Sequence, residues 1–180
     1  SLITLAILPP AGRARLLDLA RTVRAHGGIV AFDNNYRARL WNSPNEAAAA
    51  RDAAIANATI GLPTLSDERE LSGSKDADEV ARRWRAGGCP EVAIKLGDCG
   101  CLLPSGKVQP PPDPVRVVDS SGAGDAFNAG YLAERLCHAE PATAALHGQR
   151  LAAWTLARPG AIPPRDDAAP YNSSVMPEPE

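Results

Sequence analysis

Hydrophobic positions along the chain alternate between short apolar runs and longer segments in which apolar residues recur every three or four positions. The short runs, bounded by proline or glycine, predict buried strands at residues 1–8, 29–32, 59–62, 92–96, 101–104 and 115–118. The helical spacing predicts helices at residues 11–26, 46–56, 67–71, 76–85, 125–136 and 142–156. This alternation indicates an α/β fold with a mostly parallel sheet flanked by helices. The first strand, the first helix and the second strand are predicted to form a right-handed βαβ unit.

Polar and proline-rich segments mark the connections between these elements. Residues 33–44 form a loop that carries several Asn and Arg residues, and residues 109–114 contain four prolines. Because proline fixes its own backbone angle and removes a donor, the second segment is predicted to be an extended connector. Proline, acidic residues, Asn and Ser dominate residues 166–180, so we predict a disordered tail there.

The composition narrows the class of protein. The chain has 180 residues, of which 44% are hydrophobic and 22% charged, which suits one globular domain with a real core. A net charge of −2 argues against nucleic-acid binding, and no apolar run is long enough to span a membrane. The four cysteines fit neither a secreted disulfide scaffold nor a structural zinc spacing. Without a signal-peptide pattern we expect a cytoplasmic protein, and the chain looks cut from a longer one.

The most informative segment is VVDSSGAGDAF at residues 117–127, which passes from a predicted strand through a glycine-rich turn into a helix. Gly122 and Gly124 allow a tight turn whose consecutive N–H groups converge. With the positive end of the following helix, this turn suits an anion such as a phosphate. Asp125 would repel a phosphate there, a conflict that resolves if it is a general base for an attacking hydroxyl. The alternative is that Asp125 is only a favourable first-turn acid and the glycines only a tight joint.

Two common phosphate-binding motifs do not fit this segment. It lacks the lysine of the P-loop pattern GxxxxGK[ST]. When the segment is aligned with GxGxxG, Phe127 occupies the third glycine position, and no acidic residue ends a following strand about 20 residues further on. These departures argue against both a P-loop and a dinucleotide site.

Four segments of the chain resemble motifs of one known family. The segment DSSGAGD at residues 119–125, with Ser120 in place of threonine, is similar to DTxGAGD, the signature of the ribokinase-like (PfkB) carbohydrate kinases. The segment FDNNYRARLW at residues 32–41 looks like the one typical of 2-keto-3-deoxygluconate kinases. AIKLGDCG at residues 93–100 resembles the family's strand and turn over the nucleotide, and PGAIP at residues 159–163 resembles its usual ending. The resemblance implies that residues 1–165 are the C-terminal portion of a ribokinase-like kinase domain, without the N-terminal strands and the lid.

The resemblance also implies roles for the glycine-rich turn. Asp125 would be the catalytic base that acts on the hydroxyl of a sugar acid. The backbone amides of the turn would form the anion hole, with contributions from Gly122, Ala123 and Gly124. Gln149 lies where the family would contact the adenine, and its role stays open between that contact and closing the helix against the core.

The other implied binding residues lie in the first hundred positions. Arg37 would bind phosphate or the carboxylate of the substrate, because its planar guanidinium suits an oxyanion. Asn35, Lys95, Gly97 and Gly100 would line the ATP site. Simpler alternatives remain open: Lys95 as a surface lysine on a strand, Arg37 as a loop arginine paired with an acid, and Asn35 as a residue that caps a turn.

Taken together, the resemblance implies an ATP- and Mg²⁺-dependent sugar kinase that phosphorylates a hydroxyl of 2-keto-3-deoxygluconate to give the 6-phosphate. Two alternatives stay open: a truncated, inactive fragment that binds nucleotide, and a kinase for another sugar such as ribose, fructose or a nucleoside. The expected partners are a small sugar acid and ATP, without nucleic acid or membrane, and a homo-oligomer is left open. An exposed sheet edge at the start of the chain is expected to favour association.

Overall fold

Residues 1–170 are described by a computed structural model, in which the chain divides into two units. The first unit comprises Ser1–Gly97 and Cys101–Val108, and the second comprises Asp98–Gly100 and the chain from Gln109 onward. Each unit is described by itself below. No helix among the described residues is long and apolar enough to cross a membrane.

The first unit contains a parallel sheet of three short strands. These are β1 (Ala31–Phe32), β2 (Ile60–Gly61) and β3 (Glu91–Val92), in the order β1-β2-β3. A second sheet has the order β4-β5-β6, in which β4 (Ile94–Lys95) pairs antiparallel with β5 (Cys101–Leu102). Strand β6 is Val108–Gln109. Together with the helices, the parallel pairing confirms the predicted α/β class.

Five α-helices belong to the first unit: α1 (Leu2–Ile7), α2 (Pro10–Ala25), α3 (Pro44–Ile55), α4 (Leu65–Ser72) and α5 (Ala77–Ala86). Side chains begin two of them, because the Ser43 hydroxyl accepts from Glu46 N and the Asp76 carboxylate accepts from Asp78 N. The parallel strands are connected through these helices, β1 to β2 by α3 and β2 to β3 by α4 and α5. All four predicted helices between residues 11 and 85 are confirmed.

The core of the first unit lies around Trp84, which is fully buried and stacks on Phe32 with ring centroids 5.5 Å apart. A Cβ at Gly61 would lie 2.6 Å from the Trp84 ring, so only glycine allows β2 to pass this close to α5. The remaining core is mostly aliphatic, including Leu2, Leu5, Ile55, Val80 and Val92.

The second unit contains a hairpin of two long helices, α6 (Ala123–Leu136) and α7 (Pro141–Leu156). Their backbones approach closely, because a Cβ at Gly130 would lie 2.9 Å from the Cα of Gly148. Phe127 and Tyr131 are buried on α6 and stack with centroids 5.9 Å apart. The predicted final two helices are therefore confirmed.

Two predicted strands are wrong. Residues 2–7 form helix α1, because Leu2 and Leu5 lie three positions apart on one helical face and are both buried. The first parallel connection is consequently β1-α3-β2 and not a βαβ unit at residues 1–32. No strand forms at residues 115–118, where Val117 and Val118 are more than half exposed. Within the described residues, Val118 N donates instead to Leu156 O at the end of α7.

The predicted tail begins inside the described part of the chain. Asp166 accepts hydrogen bonds from Trp154 Nε1 at 3.1 Å and from the Arg158 guanidinium at 2.7 Å. Ala169 is buried. The prediction for residues 171–180 lies outside the described residues.

Candidate active site

A buried ion pair lies at the carboxyl ends of the strands in the first unit. Asp33 follows β1 directly, and its Oδ2 lies 2.9 Å from the Nζ of Lys95 on β4. The Lys95 N–H donates to Pro63 O at 2.8 Å, which places β4 beside the residues that follow β2. Lys95 is 7% exposed, so it is not the surface lysine that the simpler alternative predicted.

A second acidic residue, Asp67, holds the loop that carries Arg37. Its Oδ2 accepts from Tyr36 N at 3.1 Å, and its Oδ1 lies 3.6 Å from Arg37 Nη1. Burial raises the pKa of Asp67, while the Arg37 charge and the Tyr36 hydrogen bond oppose that shift. Arg37 remains about half exposed, so its guanidinium can reach a ligand from its place beside Asp67.

Asn35 has an unusual backbone conformation in the same loop. Its φ is +26°, and its N–H donates to Asp33 Oδ1 at 3.2 Å. Its side-chain Oδ1 is buried without a hydrogen-bond partner among the described residues. A strained residue with an unpaired buried acceptor is typical of a ligand-binding position rather than of a simple turn cap.

Gly97 and Gly100 both have positive φ, but their surroundings differ. At Gly97, with φ +68°, an added Cβ would meet nothing within 4 Å. At Gly100, with φ +98°, it would lie 2.1 Å from Gln109 O. Gly97 therefore leaves space that a ligand could occupy, while Gly100 is required by the close approach of its own unit's backbone.

The glycine-rich turn of the second unit begins α6. Gly122 is the residue before the helix and has φ +74°, which favours glycine. Ala123 N is 3.4 Å from Ser120 O, a long hydrogen bond, and the amides of Gly124 and Asp125 have no backbone acceptor among the described residues. The first turn of α6 thus presents free N–H groups, as an anion-binding helix end requires.

Asp119 fixes this turn against the loop that follows α7. Its carboxylate accepts from Ser121 N at 2.8 Å and from Gly160 N at 2.9 Å. These two hydrogen bonds hold the pKa of Asp119 below its usual range. A Cβ at Gly122 would lie 2.4 Å from Ala161 O, so the loop also packs directly on the turn.

Asp125 lies in the first turn of α6 and is exposed. No hydrogen bond or ion pair from the described residues reaches its carboxylate. The carboxylate is therefore accessible from solvent, and its role as a general base stays a prediction.

Gln149 is 7% exposed on α7, and its Nε2 donates to Gln109 O at 2.8 Å. Its Oε1 is buried and has no partner among the described residues. The Nε2 group therefore connects α7 to the proline-rich segment, and the Oε1 atom can still accept a hydrogen bond.

Two acids that the sequence did not indicate as site residues connect the predicted ones. Asp33 contacts Asn35 and Lys95, and Asp67 contacts Arg37. The position of Asp33 could have indicated its role, because it directly follows a predicted strand. Asp67 lies four residues after Pro63, which ends the next predicted strand. Carboxyl ends of parallel strands meet at one edge of a sheet, and ligands commonly bind there.

The fold and these residues define a class: an α/β protein in which a buried Asp33–Lys95 ion pair lies at the strand ends and helix α6 begins after a glycine-rich turn with positive φ. A sequence model of the pfkB family of carbohydrate kinases matches residues 1–168. The chain belongs to this family.

Relatives and solved structures agree with that assignment. The chain is 42% identical over 170 residues to 2-dehydro-3-deoxygluconokinase of Dickeya dadantii, covering 90% of this chain and 54% of the relative. It is 32% identical to aminoimidazole riboside kinase from Salmonella enterica, solved with aminoimidazole riboside and an ATP analogue, with a TM-score of 0.72 over 81% of this chain and 51% of that one. Fructokinase from Vibrio cholerae, solved with fructose, ADP and a calcium ion, is 26% identical, with a TM-score of 0.72 over 88% and 54%.

These likenesses show a ribokinase-like fold. The chain spans about half the length of the curated relatives it matches.

Proposed function

We propose that the chain belongs to an ATP-dependent sugar kinase that phosphorylates a hydroxyl of 2-keto-3-deoxygluconate to give the 6-phosphate. The observation that carries the proposal is the exposed Asp125 carboxylate in the first turn of α6, directly after the positive-φ turn at Gly122. The identity to 2-dehydro-3-deoxygluconokinase over 90% of the chain supports the choice of acceptor.

Asp125 is the proposed general base. Its carboxylate would accept the proton of the attacking hydroxyl as that oxygen bonds to the γ-phosphorus of ATP, while the bond from that phosphorus to the bridging oxygen breaks and ADP leaves. Asp125 lies in the first turn of α6, at the positive end of that helix, where a carboxylate is electrostatically favourable. Amides at the same end, those of Gly122, Ala123 and Gly124, bind the negative charge of the transferred group.

ATP, when bound, supplies the phosphoryl group, and a divalent ion such as Mg²⁺ neutralises its phosphates. The free amides of the α6 first turn fit phosphate oxygens, and the open face of Gly97 leaves room for a nucleotide. We also propose that the nucleotide is bound by Asn35, Lys95 and Gly100.

Arg37 is proposed to recognise the carboxylate of the sugar acid. Its guanidinium is half exposed and only loosely paired with Asp67, at 3.6 Å, so a ligand carboxylate can compete for it. This contact favours a sugar acid over the uncharged sugars ribose and fructose.

The test is a panel of acceptors with the purified chain and Mg-ATP. Formation of ADP is measured with 2-keto-3-deoxygluconate, ribose, fructose and a nucleoside, and nucleotide binding is measured separately by calorimetry. We expect turnover with the sugar acid above all others. Turnover only with another sugar would contradict 2-keto-3-deoxygluconate as the acceptor. ATP binding without any turnover would favour the inactive nucleotide-binding fragment.

A further inference from the structure

A buried carboxylate lies behind the loop at residues 33–37. Glu68 on α4 has no exposed surface. Its two oxygens accept from four donors: Asn34 Nδ2 at 3.3 Å, Arg51 Nη1 at 3.1 Å, Trp84 Nε1 at 3.1 Å and Arg83 Nη2. Arg51 lies on α3, and Arg83 and Trp84 lie on α5. These hydrogen bonds from two other helices therefore fix the position of the Glu68 carboxylate.

Asn34 connects this buried group to the loop. Its side chain is fully buried, and all its polar contacts are made inside the first unit. Nδ2 donates to Thr64 O at 3.2 Å as well as to Glu68, and Oδ1 accepts from Thr64 N at 3.0 Å. The amide therefore pairs with the backbone at the start of α4 while Glu68 fixes its orientation.

Helix α4 also contacts the loop at residues 33–37 through Asp67, the residue before Glu68. Asp67 accepts the Tyr36 N–H and lies beside Arg37, while Glu68 holds Asn34. Asp67 and Glu68 therefore bind the loop at the residues on either side of Asn35. The strained φ of Asn35, +26°, can persist only when contacts on either side determine it.

We propose that Glu68 and Asn34 are positioning residues, which hold residues 33–37 in the conformation that presents Asn35 and Arg37 to a ligand. The identity of that ligand, a sugar acid with ATP, rests on the proposed function. The competing explanation is that Glu68 and Asn34 only stabilise the core, without controlling the loop.

Amide hydrogen exchange of the whole chain separates these explanations without a ligand. Asn34→Ala removes the link to the loop but leaves Glu68 with its other three donors. We expect the Tyr36 amide, whose own acceptor is Asp67, to exchange about tenfold faster in this variant. The indole N–H resonance of Trp84 should stay in place, because its acceptor Glu68 is unchanged.

A matched control is Asp76→Ala, which removes the cap of α5 and touches no residue of the loop. It should lower stability without a selective change at Tyr36. Unchanged Tyr36 exchange in Asn34→Ala, or equal acceleration in the control, overturns the proposal. If Asn34→Ala does not fold, exchange of the original chain in mild denaturant decides: Tyr36 and Thr64 must open together, and separate opening of Tyr36 contradicts the proposal.

Kinetics then test what the loop binds. Because Arg37 is proposed to hold the substrate carboxylate throughout the reaction, Asn34→Ala should raise KM for 2-keto-3-deoxygluconate about tenfold and change kcat less than about twofold. A fall in kcat with unchanged KM would contradict this role. If the original chain has no sugar-dependent turnover, the proposed function fails for this chain, and hydrogen exchange alone decides the positioning inference.

Discussion

Lys95 and Asp33 form an ion pair at 2.9 Å although they are 62 positions apart in the chain. Both side chains are nearly buried, with 9% and 12% of their surface exposed. A charge removed from water in this way depends on its partner, so the pair fixes the end of β1 to β4 at the candidate active site.

Breaking this pair should be costly. Lys95→Met leaves the Asp33 carboxylate buried without its ammonium, and we expect a loss of about 3 kcal/mol in the free energy of unfolding. The double variant Asp33→Asn with Lys95→Met should lose less than the sum of the single variants. Urea unfolding of the four proteins measures this coupling, and strictly additive losses would contradict the pairing.

The two positive-φ glycines predict different costs. Gly97→Ala should lose about 1–2 kcal/mol, because only the backbone conformation opposes the added methyl group. Gly100→Ala should lose more, roughly 3 kcal/mol or beyond, since its Cβ would also collide with Gln109 O. Thermal unfolding of both variants checks the order, and equal losses would mean that the Gly100 contact is relaxed at little cost.

Because α6 and α7 pack closely, we expect Gly130→Ala to destabilise the fold, although helix propensity alone would favour alanine. Gly130→Ala should destabilise by about 1–3 kcal/mol, because its methyl group would meet the backbone of Gly148 at 2.9 Å. The control is Gly12→Ala on α2, where the nearest atom lies at 3.4 Å and the change should be neutral or stabilising by up to about 1 kcal/mol. A stabilised Gly130→Ala variant would show that the helices do not pack so closely.

Asp119 predicts a pH dependence of stability. The folded pKa of Asp119 is lowered by the Ser121 and Gly160 amides, so the carboxylate stabilises the fold above its unfolded pKa, about 3.9. That contribution is lost as the pH falls through the folded pKa. Asp119→Asn should therefore lower Tm most near neutral pH, and the difference should shrink below about pH 4. A constant difference across this range would show that the ionised form is not what matters.

Most of the fold could be predicted from the sequence because the helices carry their own signals. Helices α3 and α5 show caps, and α6 and α7 show apolar residues at helical spacing. The first eight residues could not be assigned, since a short apolar run fits a strand or a buried helix, and burial of Leu2 and Leu5 decides for α1. The expected strand at residues 115–118 failed because a strand needs a neighbour, and the described residues supply none.

The candidate site divides in the same way. Gly122 and Asp125 are readable from a local motif, because the turn and the helix start lie within a few residues. Asp33 with Lys95, and Asp67 with Arg37, join distant segments, and only the folded sheet brings them together. Their roles toward ligands stay predictions.

The proposed role of Asp125 as the base is tested by ADP release from Mg-ATP with and without 2-keto-3-deoxygluconate, for the original chain and for Asp125→Asn. Asparagine keeps the size of the side chain and removes its ability to accept the proton. We expect sugar-dependent release that falls by a factor of about 10²–10⁴ in the variant. Sugar-dependent release that survives Asp125→Asn would contradict the assignment of Asp125 as the base.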